Sequence, residues 1–192
     1  FYLLNSNIQM KILLNNTDLN KALNKASNLG FIPTMGSLHP GHISLIKKSI
    51  KQCNKTIVSI FVNPTQFNSQ NDFKKYPRNK KRDLLILKKL DVDYLYMPLI
   101  NEIYKFKRIK KIKLFKKDNI LCAKYRPGHF EGVLDIMERL TKLIKPSKIY
   151  MGEKDLQQLL LVKRCLEKKY KTKIISCKTI RNNRKLALSS RN

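Results

Sequence analysis

The chain has 192 residues, 42% of them hydrophobic, and carries 41 Lys and Arg against 13 Asp and Glu, a formal charge of +28. That length can bury one substantial core, and no apolar run approaches the 18 or so residues of a membrane-spanning helix. The N-terminus is no basic-then-apolar leader, and the scattered Cys53, Cys122, Cys165 and Cys177 include no C-x-x-C. Neither secretion nor a disulfide or zinc framework is expected; the cysteines read as reduced thiols in a cytoplasmic protein.

So much positive charge suits anionic partners. The lysines are spread over nearly every segment, however, and Asn and Ile are abundant too. All three have A/T-rich codons, so base composition accounts for the excess at least as well. A nucleic-acid partner is not expected; an anionic nucleotide substrate is compatible with either origin. The chain opens without Met, which reads as a fragment.

Asn16-Thr17-Asp18 resembles a helix cap, with Leu19, Leu23 and Ala26 as a short apolar stripe up to Gly30. The apolar run Leu29-Gly30-Phe31-Ile32 leads into Pro33-Thr34-Met35-Gly36-Ser37-Leu38-His39-Pro40-Gly41-His42. Beyond it Ile43, Ile46, Ile50 and Cys53 fall at helical spacing. This predicts a strand, a tight turn and a helix start carrying two of the three histidines. Helix starts present unsatisfied N–H groups and the positive end of the macrodipole, and so attract phosphate. Gly41 leaves room for a ligand, and His39 and His42 share a face.

Thr56-Ile57-Val58-Ser59-Ile60-Phe61-Val62 reads as a strand buried on both faces, ending in Asn63-Pro64-Thr65-Gln66-Phe67. A polar loop through Asn71-Asp72 reaches Tyr76-Pro77-Arg78. A helix with Leu84, Leu87 and Leu90 follows, then a third strand, Val92 to Pro98. This rhythm predicts an α/β fold, a Rossmann-like doubly wound parallel sheet with right-handed crossovers. Residues 105–117 are basic and partly alternating, which predicts an exposed edge hairpin, with an RNA-binding arm as the alternative. Arg126-Pro127-Gly128-His129-Phe130 opens a helix with Val133, Ile136, Leu140 and Leu143 on one face. Lys148-Ile149-Tyr150-Met151 is a short strand ending in Gly152-Glu153-Lys154-Asp155. The next helix buries Leu156, Leu159, Leu160 and Leu166, and Lys173 to Cys177 is a last strand before Leu188-Ser189-Ser190-Arg191-Asn192.

In such a sheet ligands bind outside the carboxyl ends of the strands, where strand order reverses. The polar clusters after the strands therefore read as one shared site. Its chemistry is anion-centred: His39 and His42 can donate to phosphate oxygens, Lys154 and Arg191 can neutralise a triphosphate, and Ser189 and Ser190 can bind its oxygens. There is no nucleophile elbow, no Cys–His pair and no Walker A loop. What remains is attack on an α-phosphate by a substrate oxygen, aided by positioning and charge stabilisation. Gln66 and Gln158 are neutral bidentate groups suited to a small hydroxy acid.

Six segments together resemble the successive motifs of the pantothenate synthetase (pantoate–β-alanine ligase) family. They are Pro33 to His42, Ser59 to Phe67, Tyr76-Pro77-Arg78, Arg126 to Phe130, Gly152 to Gln158, and Leu188 to Asn192, in the family's order and at nearly its spacing. The resemblance implies a two-step ligase of the H-x-G-H nucleotidyltransferase fold. Pantoate attacks ATP to give pantoyl adenylate and pyrophosphate, with Mg2+ on the phosphates; β-alanine then displaces AMP.

By matching position, His42 is implied as proton donor, with His39 beside it. Met35, Gly36, Ser37, Leu38, His39, Pro40, Gly41 and His42 are implied at the ATP site, with Gly152, Glu153, Lys154 and Asp155, Ile180 against adenine, and Leu188, Ser189, Ser190 and Arg191. Gln66, Gln158 and Asn63 are implied to hold pantoate, Gln66 also lying near β-alanine. Asp83 lies close to a position associated with magnesium. A homodimer is implied as well.

There are departures. Lys185 stands where the family has Gly, residues 101–122 match poorly, and the family's smaller C-terminal domain is absent. The expectation is a single domain over residues 1–192 that binds ATP and pantoate in a wetter, slower site. The alternatives are a nucleotidyltransferase of the same fold, or an inactive remnant of the ligase.

Overall fold

The computed structural model describes residues 9–105 and 112–191. Its centre is a six-stranded parallel sheet: β1 (Lys11–Leu13), β2 (Leu29–Thr34), β3 (Lys55–Ile60), β4 (Tyr94–Tyr96), β5 (Lys148–Gly152) and β6 (Lys173–Cys177). The spatial order is β1-β4-β3-β2-β5-β6, with every pairing parallel. Apart from the edge strand β1, this is the doubly wound arrangement, and the order reverses between β2 and β5. β2 and β3 pair over six residues, whereas β2 and β5 pair only at Gly30–Lys148 and Phe31–Ile149. The carboxyl halves of β2 and β5 therefore part, and the crevice opens there.

Alternation along each strand builds a core on both faces. On one face Phe31, Ile57 and Ile149 pack with Leu19 of α1 (Asn16–Leu23), with α7 (His129–Ile144) and with α8 (Leu156–Leu166). On the other, Ile32, Val58 and Tyr150 meet Ile46 of α2 (Pro40–Gln52) and Leu87 of α4 (Lys80–Lys89). α7 has the most strongly apolar face, with Phe130, Val133, Ile136, Met137, Leu140 and Ile144 all buried. α2 lies so close to β2 that a Cβ at Gly30 would stand 2.1 Å from Ser49 Oγ.

Three short helices were not anticipated: α3 (Gln70–Lys75), in the stretch read as a polar loop, α5 (Ile100–Tyr104) and α6 (Cys122–Tyr125). Ser69 caps α3 through its side chain, a local signal unaccompanied by any apolar face. The expected basic hairpin falls partly on residues 106–111, outside the described residues. Residues 112–115 join no strand, and Lys116–Asp118 form a single 3-10 turn. The four cysteines are free thiols.

Candidate active site

The turn after β2 is shaped by left-handed backbone at Gly36 (φ 82°) and Ser37 (φ 52°). Successive N–H groups in such a turn form a concavity that attracts an anion. The anion there is internal. Asp83, on α4 and 1% exposed, accepts from Ser37 N–H and Leu38 N–H, each at 2.8 Å, one through each carboxylate oxygen. The assignment of Asp83 to magnesium is corrected accordingly: its carboxylate is sealed from solvent and both oxygens hold main chain.

The helix start that follows is closed in the same way. Gly41 N–H donates to His39 Nδ1 (3.1 Å), and His39 N–H donates to His42 Nδ1 (3.3 Å), a reciprocal cap built from two imidazoles. Gly36 N–H donates to Thr34 Oγ1 (3.1 Å). The main-chain donors expected to meet phosphate are therefore largely spent. What replaces them is the far side of each ring. Burial and the Lys154 ammonium hold the pKa of His39 below its usual value. Burial, then His39, then Lys154 bring His42 down to about 3. A neutral imidazole whose Nδ1 accepts carries its proton on Nε2. The turn thus presents two uncharged N–H donors, with the helix dipole behind them.

These rings line a cavity of about 460 Å³ at the carboxyl ends of β2, β3 and β5, a volume suited to small-molecule substrates. Met35, Gly41, Gly152, Lys154 and Asp155 form its wall, together with Ile180, Leu188, Ser189, Ser190 and Arg191. Gln66, Asn63 and Gln158 line it too, beside an apolar wall that includes Phe61, Phe130, Val133 and Ile136. Ser59 Oγ is buried without a partner at that end.

Other residues expected at the nucleotide lie off this wall. Leu38 is 2% exposed and packs into the core beneath α2. Gly36, Ser37 and Pro40 shape the turn from behind, and the Glu153 carboxylate accepts from Ser176 Oγ instead. Asn63 faces the cavity with its side chain already bonded to protein on both sides.

The carboxyl-terminal segment of the site is tied back to the turn after β2 and to α3. Ser190 Oγ donates to the Ser37 carbonyl (3.0 Å), and Arg191 Nη2 reaches both oxygens of Asp72 (2.9 and 3.0 Å) while lying over the Tyr76 ring. Two lining residues were present in motifs without being singled out, Arg126 and His129. His129 Nδ1 lies 2.7 Å from the Gln66 carbonyl, and burial, the largest influence, lowers its pKa. Its proton therefore sits on Nδ1, leaving Nε2 as an acceptor, the reverse of His39 and His42. Among the described residues no group of three His, Cys, Asp or Glu is placed to hold a metal ion.

A parallel sheet with such donors, cations and amides gathered where strand order reverses defines an α/β enzyme that handles a nucleotide without a phosphate-binding loop. The family model described as "Pantoate-beta-alanine ligase" matches residues 8–192. A pantothenate synthetase of Francisella philomiragia is 47% identical over 176 residues, covering 91% of this chain and 67% of the relative. Two solved structures superpose closely. The pantoate-beta-alanine ligase of Francisella tularensis, complexed with beta-gamma ATP and beta-alanine, has a TM-score of 0.91 at 44% identity, covering 95% of this chain and 72% of that one. The pantothenate synthetase of Thermus thermophilus has a TM-score of 0.90 at 35% identity, covering 95% and 66%. The chain belongs to the pantoate-beta-alanine ligase family.

Proposed function

We propose that this chain joins pantoate to β-alanine at the expense of ATP, within the cavity at the β2–β5 crevice. A carboxylate oxygen of pantoate attacks the α-phosphate, giving pantoyl adenylate and releasing pyrophosphate. The β-alanine amine, having lost its extra proton, then attacks the acyl carbon and AMP leaves. Neither half-reaction needs a protein nucleophile.

The observation that carries this reading is the pair of neutral imidazoles, each holding main chain with Nδ1 and leaving Nε2–H for the cavity. Two fixed donors against a phosphoryl group stabilise the charge that builds on its oxygens as the acid attacks. In this assignment His42 is the principal donor and His39 its neighbour. Lys154 and Arg191 neutralise the leaving pyrophosphate, Ile180 packs on the base, and Gln66 and Gln158 hold pantoate. Asn63 supports this set from behind. Mg2+ belongs to the proposal only as a companion of the triphosphate, because the described residues do not fit a metal held by protein: Asp83 is sealed and no acidic cluster stands in its place. Pantoate and β-alanine as substrates accord with the size of the cavity and with Lys154 and Arg191 in its lining. A homodimer and a cytoplasmic setting rest on the family resemblance; among the described residues no helix is long and apolar enough to cross a membrane.

Pantoate-dependent exchange of pyrophosphate into ATP tests the first half-reaction directly. Removing one charge-stabilising donor with His42→Ala should slow exchange by roughly 10²–10³. Exchange that proceeds equally without pantoate, or that runs at the parent rate in His42→Ala, rejects this assignment.

A further inference from the structure

Gln66 is an amide, and an amide has two ends of opposite character. Which end faces the cavity decides whether the site offers a substrate a donor or an acceptor. The packing around Asn63 determines the answer.

Asn63 is 1% exposed. One end of its amide is fixed by main chain that can only donate: Thr65 N–H points at Oδ1 (3.4 Å), joined by Thr65 Oγ1 (3.1 Å) and by the Tyr104 hydroxyl (2.7 Å) from α5. The other end is fixed by main chain that can only accept: Nδ2 donates to the Gly132 carbonyl of α7 (3.2 Å). A rotation of Asn63 by half a turn would set like against like at both ends. Nδ2, fixed there, lies 3.3 Å from Gln66 Oε1 and donates its second N–H to it. Gln66 Oε1 is thereby occupied, and Nε2 is turned to the opposite side, 2.9 Å from the thioether of Met35 on the cavity wall. Sulfur is a weak acceptor, so a substrate oxygen arriving there replaces a poor partner with a good one.

Gly132 belongs to the same device. A Cβ at that position would stand 2.4 Å from the Thr65 carbonyl, so α7 meets the 63–66 turn backbone to backbone. Tyr104 is in turn held under the Arg139 guanidinium, 4.7 Å from its ring centroid.

We propose that Asn63 and Tyr104 are positioning residues that set the polarity of Gln66. Together they present Nε2–H, and never Oε1, to the carboxylate or hydroxyl oxygen of the acid substrate. The inference deepens the assignment of Gln66 to the pantoate subsite and rests on it. It also assigns Asn63 a role through Gln66 rather than by contact with substrate.

Asn63→Asp tests this with almost no change in shape. The introduced carboxylate can still accept from Thr65 and Tyr104, but its second oxygen faces Gln66 Oε1 and the Gly132 carbonyl. The Gln66 amide then turns over to donate to it and shows Oε1 to the cavity. At pH 8.5 the expected result is a rise in KM for pantoate on the order of tenfold or more, with KM for ATP within about twofold of the parent. Protonating the new carboxyl restores a donor toward Gln66, so the ratio of variant to parent kcat/KM for pantoate should climb as pH falls toward 6. Tyr104→Phe, which leaves Thr65 in place, should raise the pantoate KM by a smaller factor without pH-dependent recovery. Gln66→Ala separates the two layers of the argument. If it binds pantoate as the parent does, the pantoate assignment fails. If it loses pantoate while Asn63→Asp keeps the parent KM, or loses ATP and pantoate alike at every pH, the positioning role fails by itself.

Discussion

At the scale of single residues, the two histidines act as adaptors between main chain and ligand. Each accepts a backbone N–H of the helix start and carries its own N–H outward. This works only while the rings are neutral, and it couples the site to stability. Burying His42 lowers its folded pKa to about 3 from an ordinary value near 6.5. The folded state therefore binds fewer protons than the unfolded chain between those two values. The stabilisation is complete above pH about 6.5 and is lost as pH falls toward 3. Urea midpoints should accordingly decline between pH 7 and pH 4, and His42→Ala should flatten that decline; a parallel decline in the variant would contradict the assignment.

Among elements, the last hairpin holds a lysine in a backbone conformation that favours glycine. Arg181 bridges to Ala187, Asn182 caps the turn by accepting from Arg184 and Leu186 N–H, and Lys185 occupies the left-handed region at φ 61°. A side chain there costs about 1–2 kcal/mol, part of which glycine returns through the greater freedom of its unfolded chain. Lys185→Gly should thus stabilise the protein by about 0.5–1 kcal/mol in denaturant titrations and leave the hairpin intact. A loss of stability would mean that the strain at Lys185 is offset by a contact of its side chain. The hairpin leads directly to Leu188 and Ser190 on the cavity wall, so the same substitution reports whether a relaxed turn still delivers them.

Across the whole molecule, a formal charge of +28 is spread over a chain of 192 residues and includes few internal ion pairs among the described residues. Like charges at this density oppose compaction, and salt screens them, the Debye length shrinking from about 30 Å at 0.01 M to about 8 Å at 0.15 M. The midpoint of thermal unfolding should rise by several degrees over that range of sodium chloride. A midpoint that falls would show that attractive pairs dominate. The long apolar strands β2 and β3 and the apolar face of α7 were legible in the residue pattern, because burial on both sides leaves a continuous apolar run and burial on one side a helical period. β1, three residues long, and α3, whose sequence QNDFKK has no apolar face, carry too little periodicity to be read that way. His42, Gln66 and Lys154, which line the cavity, stand in local motifs that are readable in the sequence. The commitment of Asp83 to residues 45 and 46 positions away is not, since no local pattern encodes a contact at that separation.

Asp83 has a last consequence. A phosphate-binding loop grips its ligand with main-chain N–H groups, which every amino acid except proline supplies. Point mutations therefore leave much of that grip in place. In this turn the chain's own carboxylate and imidazoles occupy most of those groups, so on the proposed reading recognition passes to side chains. Each donor is then a separate target for mutational decay, with little of that backbone grip beneath it to keep partial function alive. A chain with this architecture can keep its sheet, core and helices under drifting selection and lose its chemistry in a single codon.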